Sequence, residues 1–216
     1  MKLNNSYAVF GLGKYGRAVA EELVRSGADV IAVDKNESIV EEAALKLPIC
    51  KCADITDPEV MSRLGIANVD VAIVAMAESL EASVLAVTLL KEAKVPMVIA
   101  KCGSEMHKKI LTRIGADKVV IPELESGIRL GKSLLSSGFT DIIELSKDVS
   151  MIEMDIREEW VGKNLIELSL RKKYSINVVA LRKENEAIID IDPSMKLTNE
   201  MKLIVIADTN KLKKLK

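Results

Sequence analysis

The sequence predicts an α/β fold, a doubly wound parallel sheet over residues 1–135, followed by a second, smaller α+β domain over 136–216. Three observations predict it. Short aliphatic runs alternate with longer segments of helical spacing through the first two thirds of the chain, which is the pattern of strands joined by crossover helices. Aromatic residues make up only 3% against 49% hydrophobic, so the core must be built from Val, Ile, Leu and Ala, as in parallel strands buried on both faces. A glycine-rich turn follows the first aliphatic run directly and opens the first helical segment.

Strands are read at Tyr7–Leu12, Val30–Asp34, Ile49–Cys52, Val71–Ala75, Met97–Lys101 and Lys118–Ile121. Helices are read between and after them, at Tyr15–Ser26, Ser38–Leu47, Pro58–Leu64, Ser79–Ala93, Ser104–Ile114 and Glu123–Leu135. Gly27, Gly65 and Gly115 stand where helices should stop. Asp57-Pro58 reads as a helix start with Pro at the first helical position. Ser38 is read as a cap, with Glu41 completing a capping box.

The texture changes near Ser136-Ser137-Gly138, which is read as the domain boundary. Beyond it come an alternating run at Ser150–Ile156, a helical stretch at Asn164–Lys173, and strands at Asn177–Arg182, Ala187–Ile191 and Lys202–Ala207. Lys183-Glu184-Asn185-Glu186 reads as a hairpin connection. A module this small is marginal alone and is expected to pack against a second copy or the first domain.

The charge balance excludes some functions. A formal net charge of −1 argues against a general nucleic-acid binder. The basic end, Lys211–Lys216, reads as a solvated helix end. No apolar run approaches the ~20 residues needed to span a bilayer, and no signal peptide is read, so a cytoplasmic protein is expected. Cys50, Cys52 and Cys102 fit a reducing compartment; the spacing of the first two is no zinc or thioredoxin pattern, and both are read as small buried residues.

Gly11-Leu12-Gly13-Lys14-Tyr15-Gly16 is a G-x-G-x-x-G, and its context gives it weight. It lies between a strand and a helix, and an acid, Asp34, ends the next strand; this is the Rossmann-type dinucleotide layout. Gly11 permits the tight turn, Gly13 lets a phosphate approach the backbone, and Gly16 lets the helix pack on the strand. The helix N-terminus offers free N–H groups to phosphates. Asp34 can accept from ribose hydroxyls and would repel a 2′-phosphate, with Lys35 beside it. Lys14 favours a phosphate-rich ligand such as ATP over NAD. The carboxyl edge of the sheet adds Asp54, Ile55 and Thr56, the turn Ala75-Met76-Ala77, Lys101 and Glu123. A carboxylate such as Glu123 beside phosphates is either repelled or bridged by a divalent cation such as Mg or Ca.

Catalytic groups are missing from this reading. A dehydrogenase needs a proton donor or acceptor beside the nicotinamide. The only histidine, His107, falls in a helix among Lys108 and Lys109 and is read as solvated. An NAD-dependent oxidoreductase is therefore the alternative, and a nucleotide acting as a bound signal is the preferred reading; no enzyme is expected.

The sequence resembles the cytosolic regulatory subunits of bacterial Ktr/Trk potassium uptake systems, which are built from RCK domains. The resemblance is carried by A-V-F-G-L-G-K-Y-G, V-I-A-V-D, A-D-I-T, K-I-L-T-R-I-G-A-D-K-V-V-I-P-E and W-V-G-K-N-L-I-E-L-S-L-R-K-K-Y-S-I-N-V-V-A-L, and covers essentially the whole chain. It implies a homodimer that assembles into an octameric ring beneath a membrane potassium-translocating subunit, at the inner face of the cell membrane. It implies that ATP and ADP favour different ring shapes, with NAD(H) associated with the Trk branch. Gly11, Gly13, Lys14, Gly16 and Asp34 match the nucleotide loop and ribose acid, although the family often has Arg where Lys14 stands. Glu123 matches a carboxylate that, with its symmetry mate, holds a divalent cation. In some members the C-terminal dimer binds cyclic di-AMP; the matching positions are Leu165, Leu170, Arg171, Ile176, Asn177, Val178 and Pro193.

Overall fold

The computed structural model describes residues 5–76, 79–135, 139–146, 148–184 and 186–208. Contacts divide the chain into two units, one running to Leu124 and the other beginning at Glu125. The boundary read at Ser136–Gly138 lies outside the described residues.

The first unit holds strands β1 (Ser6–Phe10), β2 (Asp29–Asp34), β3 (Cys50–Cys52), β4 (Val71–Val74), β5 (Met97–Lys101) and β6 (Lys118–Val120). They form one parallel sheet in the order β3-β2-β1-β4-β5-β6. Helices α1 (Lys14–Arg25), α2 (Glu37–Ala44), α3 (Pro58–Arg63), α4 (Leu80–Glu92) and α5 (Glu105–Arg113) alternate with the strands, and α6 (Pro122–Leu135) begins after the last. Successive strand residues point to opposite faces, and both faces are apolar here. Val9, Val30, Ala32, Val71 and Ile73 pack with Ala20 of α1 and Ala43 of α2. Ala8, Phe10, Val33, Ala72, Val74 and Val98 pack with Met61 of α3, Leu90 of α4 and Leu111 of α5. The aliphatic composition thus serves a sheet that is covered on both sides.

Helix ends follow local chemistry. Gly27, Gly65 and Gly115 carry φ of +83°, +70° and +107°, the left-handed conformation expected past a helix C-terminus. Asp57 caps α3 by accepting from the Glu59 N–H, with Pro58 at the first turn. The cap of α2 is Asn36, which accepts from the Ser38 N–H, so the capping box read at Ser38 is corrected. An Asx side chain two residues earlier outcompetes the serine for the first free N–H groups.

The second unit contains the rest of α6 and an antiparallel sheet of β7 (Phe139–Glu144), β8 (Val149–Asp155), β9 (Ile176–Lys183), β10 (Glu186–Ile188) and β11 (Met201–Asp208), in the order β10-β9-β11-β8-β7. Central strand β11 buries Met201, Leu203, Val205 and Ala207 on one face, where they pack with Trp160, Leu168 and Leu170. On the opposite side chains of the ladder, Glu153 is buried and pairs with Arg182 at 2.9 Å and Lys202 at 3.5 Å. The hairpin at Lys183–Glu186 is present, with Glu186 paired to Lys183 and Glu184 at φ +53°.

Three expectations change here. The helical stretch Asn164–Lys173 is two helices, α7 (Leu165–Leu168) and α8 (Leu170–Tyr174), broken at Ser169 with φ +46°. Ser169 donates its hydroxyl to the Ile166 carbonyl, a local bond that competes with helix continuation. The strand read at Ala187–Ile191 ends at Ile188, and further on Asp192 turns the chain by accepting from the Ser194 N–H and hydroxyl. Strand β7 was not expected at all.

Candidate functional site

The sheet order reverses between β1 and β4, and the connections that follow them leave in opposite directions. A crevice opens at such a switch point, beyond the carboxyl ends of the strands. The Gly11 N–H bonds the Val33 carbonyl at 2.8 Å and the Ala75 N–H bonds the Phe10 carbonyl at 2.7 Å, which ties both loops to the sheet.

The three glycines have different jobs. A Cβ on Gly11, which sits at φ +88°, would lie 2.8 Å from Met76 Cγ; on Gly16 it would lie 1.9 Å from the Gly11 carbonyl oxygen and 2.9 Å from Ala75 Cβ. Protein packing alone therefore demands both. A Cβ on Gly13 would meet nothing within 4 Å. Its surroundings are open, so glycine at this position leaves room above the backbone rather than relieving a clash.

Gly13 is also the N-cap residue of α1 and offers no side-chain acceptor, and the first turn of α1 carries no acid. Helices α2, α3, α4 and α5 each have a side-chain cap, from Asn36, Asp57, Ser79 and Ser104, and each has a glutamate in the first turn. With no side-chain acceptor at its N-cap and no acid in its first turn, the N–H groups and positive dipole end at the start of α1 suit an anion. Lys14 is exposed beside them.

Asp34 ends β2 half-buried. One carboxylate oxygen accepts from the Leu12 N–H at 2.6 Å and the other from the Asn36 N–H at 2.9 Å. These bonds pin the carboxylate against the glycine loop, and each oxygen keeps a second lone pair for a ribose hydroxyl. Across the β2–β3 edge, Asp54 accepts from the Thr56 N–H and hydroxyl at 3.0 and 2.7 Å. Those bonds hold its carboxyl below the usual carboxylate range, with Lys35 adding a weaker attraction. Ile55 is buried in the core. Ala77 lies outside the described residues.

The structure brings Lys101, Glu123 and Tyr15 together. Lys101 Nζ lies 2.7 Å from a Glu123 carboxylate oxygen and 5.7 Å from the centre of the Tyr15 ring. Lys101 is largely buried and Glu123 exposed. The hydrogen bond from Lys101 holds the Glu123 carboxyl below its ordinary value. Lys101, read at the carboxyl edge of the sheet, is thus already paired with Glu123. Among the described residues no group of three or more His, Cys, Asp or Glu is arranged to hold a metal ion.

Two further readings are corrected. His107 is only 8% exposed, and its Nε2 has no hydrogen-bond partner among the described residues. Burial pushes its pKa below the ordinary value, which favours the neutral ring. The helix face, not the flanking lysines, decides its environment: His107 lies four residues before the buried Leu111. Cys52 is exposed on edge strand β3, Cys50 is half-buried, and Cys102 alone is fully buried.

The second unit carries a groove of about 450 Å³ lined by Leu165, Leu170, Arg171, Ile176, Asn177 and Val178, with Ser169 and Lys172 in addition. The Pro193 carbonyl accepts from the Ile166 N–H at 3.4 Å, next to this groove's wall. Sequence reasoning missed Ser169 and Lys172, because the break at Ser169 lies hidden in a continuous helical spacing. Met76, read in the turn after β4, is the side chain that backs Gly11.

With this geometry in hand, the class of protein is defined: the chain belongs to the family that joins a TrkA-N domain, matched over residues 7–122, to a TrkA-C domain, matched over 151–216. Its relatives include Ktr and Trk system potassium uptake proteins, which are not named as enzymes. It is 34% identical to the Ktr system potassium uptake protein C of Bacillus subtilis (strain 168), over 94% of this chain and 92% of that one. It is 33% identical to the Ktr system potassium uptake protein A of Vibrio alginolyticus, over 97% and 95% respectively. The fold also matches the GsuK channel bound to NAD, with a TM-score of 0.65 and 16% identity, covering 96% of this chain and 38% of the channel chain. No described helix is long and apolar enough to cross a membrane.

Proposed function

We propose that this chain is a cytoplasmic regulatory subunit of a potassium uptake system, switched by an adenine nucleotide at the Gly11–Gly16 crevice. The observation that carries the reading is the combination at α1: an uncapped helix N-terminus, open space above Gly13, and Asp34 pinned beside them. In a family of potassium uptake proteins, a nucleotide cradle of this kind serves as an input. ATP or ADP lies with its phosphates on the α1 N-terminus, near Lys14, and its ribose on Asp34. NAD(H) is the second candidate, because a channel of the same fold binds NAD. Lys101 exchanges Glu123 for phosphate, and Glu123 turns to a divalent cation shared with a second copy.

The subunit acts as a homodimer in an octameric ring on a membrane potassium-translocating partner. The ligand gates by binding two ring states with different affinity, since equal affinity would shift nothing. A second input, cyclic di-AMP, is supported by the groove of the second unit. Six of the seven positions expected from the family line it, with Arg171 for phosphate, Asn177 for a base edge and aliphatic side chains for the adenines.

The test is ligand-induced thermal stabilisation of the full chain. ATP, ADP, NADH and cyclic di-AMP are each added to the wild type and to Asp34→Ala and Arg171→Ala. A ligand at ~100 times its Kd stabilises by about 2.7 kcal/mol. Asp34→Ala is expected to lose the ATP, ADP and NADH shifts, and Arg171→Ala only the cyclic di-AMP shift. A full ATP response in Asp34→Ala would overturn the site.

A further inference from the structure

The groove of the second unit holds one more cation per copy than a cyclic dinucleotide requires. The point rests on the reading of that groove as a dinucleotide site. A cyclic dinucleotide shared by two copies presents one phosphodiester, and so one negative charge, to each. Arg171 answers that charge. The lining also contains Lys172, and it contains no acid.

Helix α8 runs for five residues between Ser169 at φ +46° and Ser175 at φ +57°, and Arg171 and Lys172 both border the groove. Both are exposed. The ion pairs among the described residues of this unit engage Arg157, Arg182 and Lys202, not Arg171 or Lys172. Two adjacent cations therefore face an apolar floor of Leu165, Leu170, Ile176 and Val178.

The two cations differ in chemistry. A guanidinium fork matches a phosphodiester bidentately, whereas an ammonium is a mobile point charge suited to a terminal phosphate. A phosphomonoester carries roughly −1.5 to −2 near neutral pH. We propose that Lys172 is a second phosphate-recognising residue, which tunes this groove toward an adenine dinucleotide bearing a terminal phosphate as well as an internal phosphodiester.

Calorimetric titration of the full chain tests this with two probes, cyclic di-AMP and linear 5′-phosphorylated diadenylate. Lys172→Ala is compared with Lys173→Ala, a cation of the same helix that does not line the groove. Lys172→Ala is expected to weaken the linear probe about tenfold, or ~1.4 kcal/mol, and the cyclic probe far less. Its salt dependence should become shallower, since a screened charge contact is gone. Lys173→Ala should match the wild type with both probes. Equal affinities of Lys172→Ala and wild type for the linear probe would sink this proposal while leaving the groove reading intact. So would equal losses in Lys172→Ala and Lys173→Ala. Failure of the wild type to bind either probe, while ATP still binds, would sink the groove reading and this proposal together.

Discussion

In the first unit the crevice is framed by backbone: Gly11 and Gly16 let two loops close on each other, Gly13 leaves open space, and the α1 N-terminus presents its own N–H groups. In the second unit the groove is framed by side chains, four aliphatic groups and two cations around a broken helix. A site made of backbone needs residues with no side chain, so it writes itself into the sequence as glycines at fixed spacing. A site made of side chains needs only common residues in the right places, and its signature depends on where the backbone bends.

The comparison can be broken most strongly at Gly16. A Cβ there meets the Gly11 carbonyl at 1.9 Å, and a backbone oxygen cannot swing aside. Gly16→Ala should cost about 3 kcal/mol, at the upper end for overpacking, as a fall in the urea midpoint. A neutral outcome would mean that the α1–β1 packing described here is wrong.

A smaller effect is expected at Ser169. Its left-handed backbone is a conformation that glycine adopts freely, and its hydroxyl bond to Ile166 supports the serine there. Ser169→Ala should lose about 1 kcal/mol, while Ser169→Gly should keep stability within about 1 kcal/mol of wild type. Cyclic di-AMP binding should survive in the glycine variant. If alanine proves the more stable of the two by chemical denaturation, the helix break is not as described.

The smallest effect is a pH dependence at His107. Burial lowers its folded-state pKa below the ordinary 6.5 of the unfolded chain. As pH falls through 6.5 the unfolded state takes up a proton that the folded state refuses, so stability declines toward acid. His107→Leu should flatten the stability profile between pH 7 and pH 5, through urea unfolding at several pH values. An unchanged slope would show that the ring protonates without cost.

Much of the first unit was legible because its signals are local and repeated. Six strands, the switch-point loop and Asp34 follow from aliphatic runs and glycine spacing. His107 was misread for a physical reason: its lysine neighbours advertise solvent, but the face of an amphipathic helix is decided by residues three and four away, such as Leu111. Lys101 was placed correctly at the strand end, yet its pairing with Glu123 joins residues from β5 and α6 that no local pattern connects. In the second unit, Ser169 and Lys172 were invisible for the same reason. The backbone turns left-handed at Ser169 between α7 and α8, and helical spacing alone does not report it.

The central claim is that the crevice holds a ligand rather than merely a tight turn, and Gly13 tests it most directly. A Cβ there meets no protein atom within 4 Å, so packing gives no reason for the glycine. Titration of ATP into Gly13→Ala, with unfolding measured on the same sample, separates the two roles. The account predicts stability within about 1 kcal/mol of wild type, the scale of a Gly-to-Ala change at a helix N-cap, together with at least a tenfold loss of ATP affinity. Unchanged ATP affinity in a folded Gly13→Ala protein would contradict it.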